Sequence, residues 1–310
     1  MKRILVFFLT LIVLVAILVG CSNTKEKEED NTFNIVTSFY PMYIATSNII
    51  DGVEDVKLTS LASPDVGCLH DYQLTVNDMI TLEKADAFVI NGGGMESFLD
   101  KAISNYPELK IINAFVDDED VEDGDVEEHQ DDNHTEHGHQ HESNAHVWVS
   151  VSLYIEQVEK ICDELKKINP ENAERYESNK TNYIKKLDVL RQEMHNELDK
   201  LQKKNIVTFH EAFYYFAKEF NLNIVSVIER EPGTSPSAGE LVDIIKEIES
   251  KDVNAIFVEP QYLKTAANTI SYETGIGVYE LDPVVSGNFE KDAYEQKMKK
   301  NLDVLMEALK

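Results

Sequence analysis

The sequence predicts an α/β protein made of two lobes, each a four-stranded parallel sheet with helices packed on it, joined by one long helix. Three observations carry this. Short β-branched runs alternate with longer helical patterns, each run leads into a helix or loop and not a tight hairpin, and the alternation is interrupted once by a helical stretch lacking glycine and proline. In the first half the runs are Ile35–Phe39, Val56–Leu61, Ala87–Asn91 and Ile111–Ala114. A helix over Ser152–Ile168 then stops at Pro170, and the long stretch covers Glu171–Lys203, roughly 50 Å at 1.5 Å per residue. Its apolar residues, Tyr176, Tyr183, Leu187, Leu190, Met194 and Leu198 among them, recur at helical spacing and leave the other faces charged. The second half repeats the pattern with strands at Ile206–Phe209, Asn223–Ile228, Ala255–Val258 and Gly277–Leu281. Helices are expected there at Glu211–Phe220, Ser237–Ser250, Lys264–Glu273 and Phe289–Leu309. Two lobes and one connecting helix are the simplest architecture for this order.

The N-terminus reads as a targeting segment. Lys2 and Arg3 precede an apolar run from Ile4 to Val19 broken only by Thr10, and Leu18-Val19-Gly20-Cys21 resembles the lipobox of bacterial lipoproteins. On that reading residues 1–20 are a signal peptide, Cys21 is the lipidated N-terminus, and the charged residues up to Asn31 are a solvated tether. The other reading is an uncleaved anchor helix, and both put the rest outside the membrane. The lobes are expected at residues 32–170 and 204–310, with the connecting helix at 171–203.

Charge is unevenly placed. Residues 117–143 hold thirteen Asp or Glu and no Lys or Arg, nearly half of the formal net charge of −28. Outside that window the chain is moderately acidic, and nothing in it suggests nucleic-acid binding. The window also holds His129, His134, His137, His139 and His141. Its composition cannot form a packed core, and imidazoles among carboxylates make a loose, exchangeable metal trap.

The remaining histidines are His70, His146, His195 and His210. His195 lies among Arg191, Gln192, Glu193 and Glu197 on the long helix and reads as a surface residue. His70 stands in a loop after the second strand, before a helix that Thr75 or Asn77 could cap. His146 opens the segment in which the acidic window rejoins the fold. His210 ends a strand directly before a helix, and the carboxyl ends of parallel strands are where ligands bind. Any one of them alone is most simply structural; the three together, from both lobes, favour a metal site between the lobes.

Four segments, His70-Asp71-Tyr72-Gln73, His146-Val147-Trp148-Val149-Ser150, His210-Glu211-Ala212-Phe213 and Leu281-Asp282-Pro283, together with a His-rich acidic insertion before His146, closely resemble the zinc-binding solute-binding proteins of bacterial ABC metal importers. The resemblance covers essentially the whole mature chain. It implies two (β/α)4 lobes with a rigid connecting helix, Zn2+ as the transported ligand, and His70, His146 and His210 as metal ligands, with Asp282 or water completing a tetrahedral site. It further implies an ABC permease as partner, membrane attachment through the lipid on Cys21, a position on the outer face of the cell membrane and a monomeric state. A manganese or iron importer component of the same fold is the first alternative; a role in cell adhesion is compatible with import. Because imidazole binds metal only when unprotonated, affinity is expected to fall below about pH 6.

The chain departs from the family at Cys68-Leu69, where many zinc-binding members carry an acidic residue. Cys68 is not counted among the ligands, since two positions before His70 in a loop offer no evident geometry. Cys68 and Cys162 are left either as a disulfide or as two separate thiols. A lipid-anchored zinc hydrolase is the alternative from another class, and the chain gives it little support. HExxH would need histidine at position 214, where Tyr214 stands, and Gly233-Thr234-Ser235-Pro236-Ser237 misses GxSxG. Gly92-Gly93-Gly94 lacks phosphate-loop spacing and is expected to be a tight turn.

Overall fold

The computed structural model describes residues 32–69, 72–116, 144–228, 236–262 and 264–310. Strands β1 (Phe33–Thr37), β2 (Val56–Ser60), β3 (Ala87–Ile90) and β4 (Lys110–Asn113) form the first sheet, and β5 (Asn205–Thr208), β6 (Asn223–Val227), β7 (Ala255–Val258) and β8 (Val278–Glu280) the second. All pairs are parallel, and the strand orders, β2-β1-β3-β4 and β6-β5-β7-β8, are the same. The helices are α1 (Tyr40–Ile49), α2 (Val76–Glu83), α3 (Asp100–Ile103), α4 (Val151–Ile168), α5 (Ala173–Leu198), α6 (Tyr214–Glu219), α7 (Ala238–Ser250), α8 (Thr265–Thr274) and α9 (Ala293–Ala308).

Period-2 alternation explains why these strands are buried on both faces. Ile35, Ala87 and Val89 point toward the middle of the molecule, while Val36 and Phe88 point outward under α2 and α3. The second sheet copies the arrangement, with Ile206, Ala255 and Phe257 inward and Val207, Ile256 and Val258 outward. The inward faces do not close two separate cores. A single apolar cluster runs from Ile35 through Trp148, Tyr154, Leu187 and Met194 to Ile206 and Tyr294, so both sheets share it.

Helices α4, α5 and α9 make the shared layer. Tyr154 of α4 stacks on Tyr294 of α9 with ring centroids 3.9 Å apart, and meets Tyr183 of α5 edge-on at 6.5 Å. Beyond β8 the chain returns to the first lobe: Phe289 packs on Tyr43 at 3.9 Å, Tyr40 Oη donates to the Asn288 carbonyl at 2.7 Å, and Lys291 pairs with Asp51. The final segment thus straps the second sheet to helix α1 of the first lobe.

Elements follow the expectations closely, with differences at helix ends: Glu211–Phe213 ahead of α6 is a 3₁₀ turn, the last helix starts at Ala293 and not at Phe289, and the long helix starts at Ala173. The long helix ends at Leu198 and not at Lys203, giving 26 residues and a length of roughly 39 Å. Apolar spacing carries on to Leu201, but Leu201 is buried through a turn, its N–H bonded to the Leu198 carbonyl, as the chain reverses into β5. The triple glycine after β3 is the expected turn, with φ of +82°, +62° and +89°. At Gly92 a Cβ would lie 2.1 Å from Asn113 Oδ1, so only glycine fits there.

A shared core should unfold as one unit. Trp148→Ala, which empties a fully buried site at its centre, is expected to cost about 3–5 kcal/mol. Urea denaturation followed by far-ultraviolet circular dichroism should show a single transition at a lower midpoint. Two resolved transitions, one per lobe, would contradict the continuous core.

Candidate metal centre

In each sheet the strand order reverses direction around the first strand, so the crevice between β1 and β3, and that between β5 and β7, lie at the carboxyl edges where ligands bind in parallel sheets. His210 stands two residues past β5, in extended backbone, and opens the 3₁₀ turn Glu211–Phe213. Glu259 follows β7 directly. Both side chains are only 1% exposed, and His210 Nδ1 lies 3.4 Å from Glu259 Oε1. That is long for a hydrogen bond but well inside ion-pair range. Burial pushes the Glu259 carboxyl above the ordinary carboxylate range, against the opposing pull of His210, and the nearby Asp282 charge adds to the rise. Gln261 Nε2 donates to the other Glu259 oxygen at 2.6 Å.

His146 enters from the first lobe. It precedes the 3₁₀ turn Val147–Val149 and helix α4, whose N-cap is Ser150, and its ring is fully buried. The His146 and His210 rings lie edge to face with centroids 5.0 Å apart, and Trp148 flanks His146 at 5.1 Å.

Asn144 decides which His146 nitrogen faces the cleft. Its Nδ2 donates to the Glu211 carbonyl at 3.1 Å, which turns its Oδ1 toward both the His146 N–H and His146 Nδ1, each at 2.9 Å. Nδ1 is therefore the protonated nitrogen, and Nε2 carries the lone pair. That Nε2 lies 3.3 Å from Cys68 Sγ.

Asp282, two residues past β8, is 8% exposed. Its Oδ1 accepts the Val284 N–H at 2.8 Å, its Oδ2 pairs with Lys297, and Asn301 fixes its backbone from both sides. Val284 is buried with φ of +60°, a strained conformation for a β-branched residue. The strain sits where Asp282 is aimed, and Asp282 is close enough to Glu259 and Tyr40 to raise both.

The fold therefore brings His146 and His210 side by side and sets Asp282 within electrostatic reach of their surroundings. His70 lies outside the described residues, as do His129, His134, His137, His139, His141 and Cys21. Among the described residues, no three His, Cys, Asp or Glu side chains form a group that could hold a metal ion. His195 is more than a surface residue: partly buried on the last turn of α5, it lies 3.2 Å from Asp199 and 3.7 Å from Glu219, and packs on Phe220. Glu219 in turn accepts from Ser150 and Ser152 at the start of α4. Cys162 is buried in α4 without a disulfide, its thiol pushed up to about 11 by burial, so the Cys68–Cys162 bridge does not form. Glu259 and Asn144 were not anticipated. The strand-end rule that singled out His210 points equally to Glu259; nothing local marks Asn144.

Two parallel sheets of the same strand order, whose carboxyl edges face one buried polar cluster, define a two-lobed α/β protein. Residues 35–308 match the family described as zinc-uptake complex component A, periplasmic, and the chain belongs to that family. It is 32% identical over 301 residues to the high-affinity zinc uptake system protein ZnuA of Bacillus subtilis, covering 94% of this chain and 93% of that one. It is also 32% identical over 294 residues to the zinc-binding lipoprotein AdcA of Streptococcus pneumoniae; the match takes in 93% of this chain but only 58% of the length of AdcA. The crystal structure of the Zn(II)-bound ZnuA-like domain of S. pneumoniae AdcA superposes with a TM-score of 0.71 at 28% identity, over 90% of this chain and 99% of that domain.

The orientation of His146 is directly measurable. Long-range nitrogen–proton correlation spectra at mildly alkaline pH should report the Nδ1-protonated tautomer, and Asn144→Ala should shift the ring toward the Nε2-protonated form. An Nε2-protonated ring in the unsubstituted protein would refute the assignment.

Proposed function

We propose that this protein captures Zn2+ outside the cell membrane and delivers it to the permease of an ABC importer. The ion is held between the lobes by His70, His146 and His210, with Asp282 or water as the fourth partner. The observation that carries this reading is the buried His146–His210 pair, one imidazole from each lobe, each with its Nδ1 directed at an oxygen. Metal-binding histidines characteristically give their second nitrogen to a carboxylate or amide oxygen, which orients the ring and raises its basicity. Glu259 has that role for His210 and Asn144 for His146. Support also comes from relatives named for zinc binding and zinc uptake.

On this reading the chain is a binder and catalyses no reaction. Residues 1–20 are a cleaved signal peptide, Cys21 carries the lipid anchor, 21–31 form the tether, and the lobes occupy 32–170 and 204–310 around the connecting helix 171–203. Among the described residues no helix is long and apolar enough to cross a membrane. Two acyl chains would hold the protein stably at the surface, one only marginally. The five histidines of 117–143 form a weak secondary trap, and the protein acts as a monomer.

Metal titration of the full chain and of a chain lacking residues 117–143 tests the assignment: one tight site should survive the deletion. His210→Ala should lower zinc affinity by roughly 100-fold, taking a quarter of the binding energy typical of four-ligand zinc sites as a lower bound. Glu259→Gln should lower it about 10–100-fold, the range for a group that orients a ligand. Unchanged affinity in both variants would place the site elsewhere.

A second reading, manganese or iron as cargo, draws on the two carboxylates, Glu259 and Asp282, beside the imidazoles, since oxygen ligands suit harder ions. Competition at neutral pH separates the two. Zinc displacing manganese is expected, and the reverse would transfer the assignment.

A further inference from the structure

The sulfur of Cys68 lies 3.3 Å from His146 Nε2, and this contact spans 78 residues of sequence. The nitrogen involved is the one left unprotonated by Asn144, so the thiol faces the lone pair that the proposed site would give to its ion. Zinc binds thiolate sulfur at about 2.3 Å and imidazole nitrogen at about 2.0–2.1 Å, so two such donors on a tetrahedral ion stand roughly 3.5 Å apart. The Cys68–His146 pair is already within a few tenths of an ångström of that edge.

The sulfur is held there by the loop that carries it. Leu69 is fully buried, the Tyr72 N–H bonds the Leu69 carbonyl at 2.9 Å, and on the other side the Gly287 N–H of the second lobe bonds the Pro64 carbonyl at 3.1 Å. A second sulfur, Met95 Sδ, lies 4.0 Å from Cys68 Sγ, and Met95 is 2% exposed. Cys68 itself keeps partial exposure, unlike Cys162, which is sealed inside α4.

We propose that Cys68 is a metal ligand of the cleft, binding as a thiolate beside His146 in the fourth position that Asp282 or water would otherwise take. The inference rests on the zinc-capture reading and deepens it. On metal entry the S–H bond is exchanged for an S–metal bond and the proton leaves to solvent, with no change of oxidation state. A thiolate donor favours zinc and softer ions over manganese, which makes Cys68 a specificity-determining residue of this chain.

Cobalt(II) in place of zinc reads the ligands directly. Titration of the full, reduced chain with Co2+ should give visible bands of a tetrahedral ion together with a near-ultraviolet thiolate-to-cobalt charge-transfer band, both saturating at one equivalent. Cys68→Ser should lose the charge-transfer band while still binding one Co2+, and Cys162→Ser should keep it. Visible bands without a charge-transfer band in the unsubstituted protein, or a band that survives Cys68→Ser, would overturn the proposal and leave the zinc-capture reading standing. Failure of the unsubstituted chain to bind either Co2+ or Zn2+ tightly would overturn both. Should Cys68→Ser fail to fold, X-ray absorption of the zinc-loaded unsubstituted chain decides: a sulfur scatterer at about 2.3 Å supports the ligand, and only nitrogen and oxygen neighbours refute it.

Discussion

The hydrogen bond from Trp148 Nε1 to the Pro283 carbonyl, 2.8 Å long and fully buried, is the contact on which the cleft depends. Trp148 follows His146 by two residues and Pro283 follows Asp282 by one, so this bond registers the His146 segment of the first lobe against the Asp282 segment of the second. Tyr294 Oη closes the arrangement by donating to the Trp148 carbonyl at 2.9 Å. The indole supplies apolar area and a donor at once, and a buried indole N–H left unpaired would cost about 1–3 kcal/mol. The same ring meets Phe39 edge-on at 5.0 Å and flanks His146, so the His146 imidazole is positioned by the core itself.

The two lobes share a topology but use their strand ends differently. In the second lobe the crevice between β5 and β7 presents His210 and Glu259. In the first, the corresponding place is filled from within: Glu96, 4% exposed, accepts the N–H groups of Asn91 and Gly92 at 2.8 and 2.9 Å, and Asn91 is further bound by Gln157. Burial pushes the Glu96 carboxyl up, while those N–H donors pull it back. With its central crevice closed, the first lobe presents side chains from its flanks, Cys68 after β2 and His146 beyond β4. The asymmetry between the lobes follows from that plugged crevice.

Most of the fold was legible in the sequence because the strands are buried on both faces and the helices on one, and those two periodicities are distinct. The end of α5 was not, since Leu201 continues the apolar spacing after the helix has stopped. His210 and His146 could be singled out from their places at a strand end and a segment start. Glu259 ends a strand much as His210 does, but only the pairing of β7 with β5 in the sheet brings the two together. Cys68 shows the same limit more sharply. Judged against His70 two residues away it has no geometry, whereas its actual neighbour, His146, is distant in sequence and near only through the packing of one loop against another.

That packing also constrains how an ion could be exchanged. Parting the lobes as rigid bodies would expose Trp148, Tyr154, Tyr183 and Tyr294, each worth about 1.5–3 kcal/mol of buried apolar surface. A hinge of that kind would therefore be costly. Cys68, His146 and His210 ride on three separate segments, however, the loop after β2, the segment before α4 and the strand end of β5. Coordination distances tolerate only a few tenths of an ångström, so on the proposed site a small shift of one such segment would be enough to remove a ligand while the shared core stays intact. On the proposed site the core would keep the donors spaced, and release would require only a small displacement of one segment.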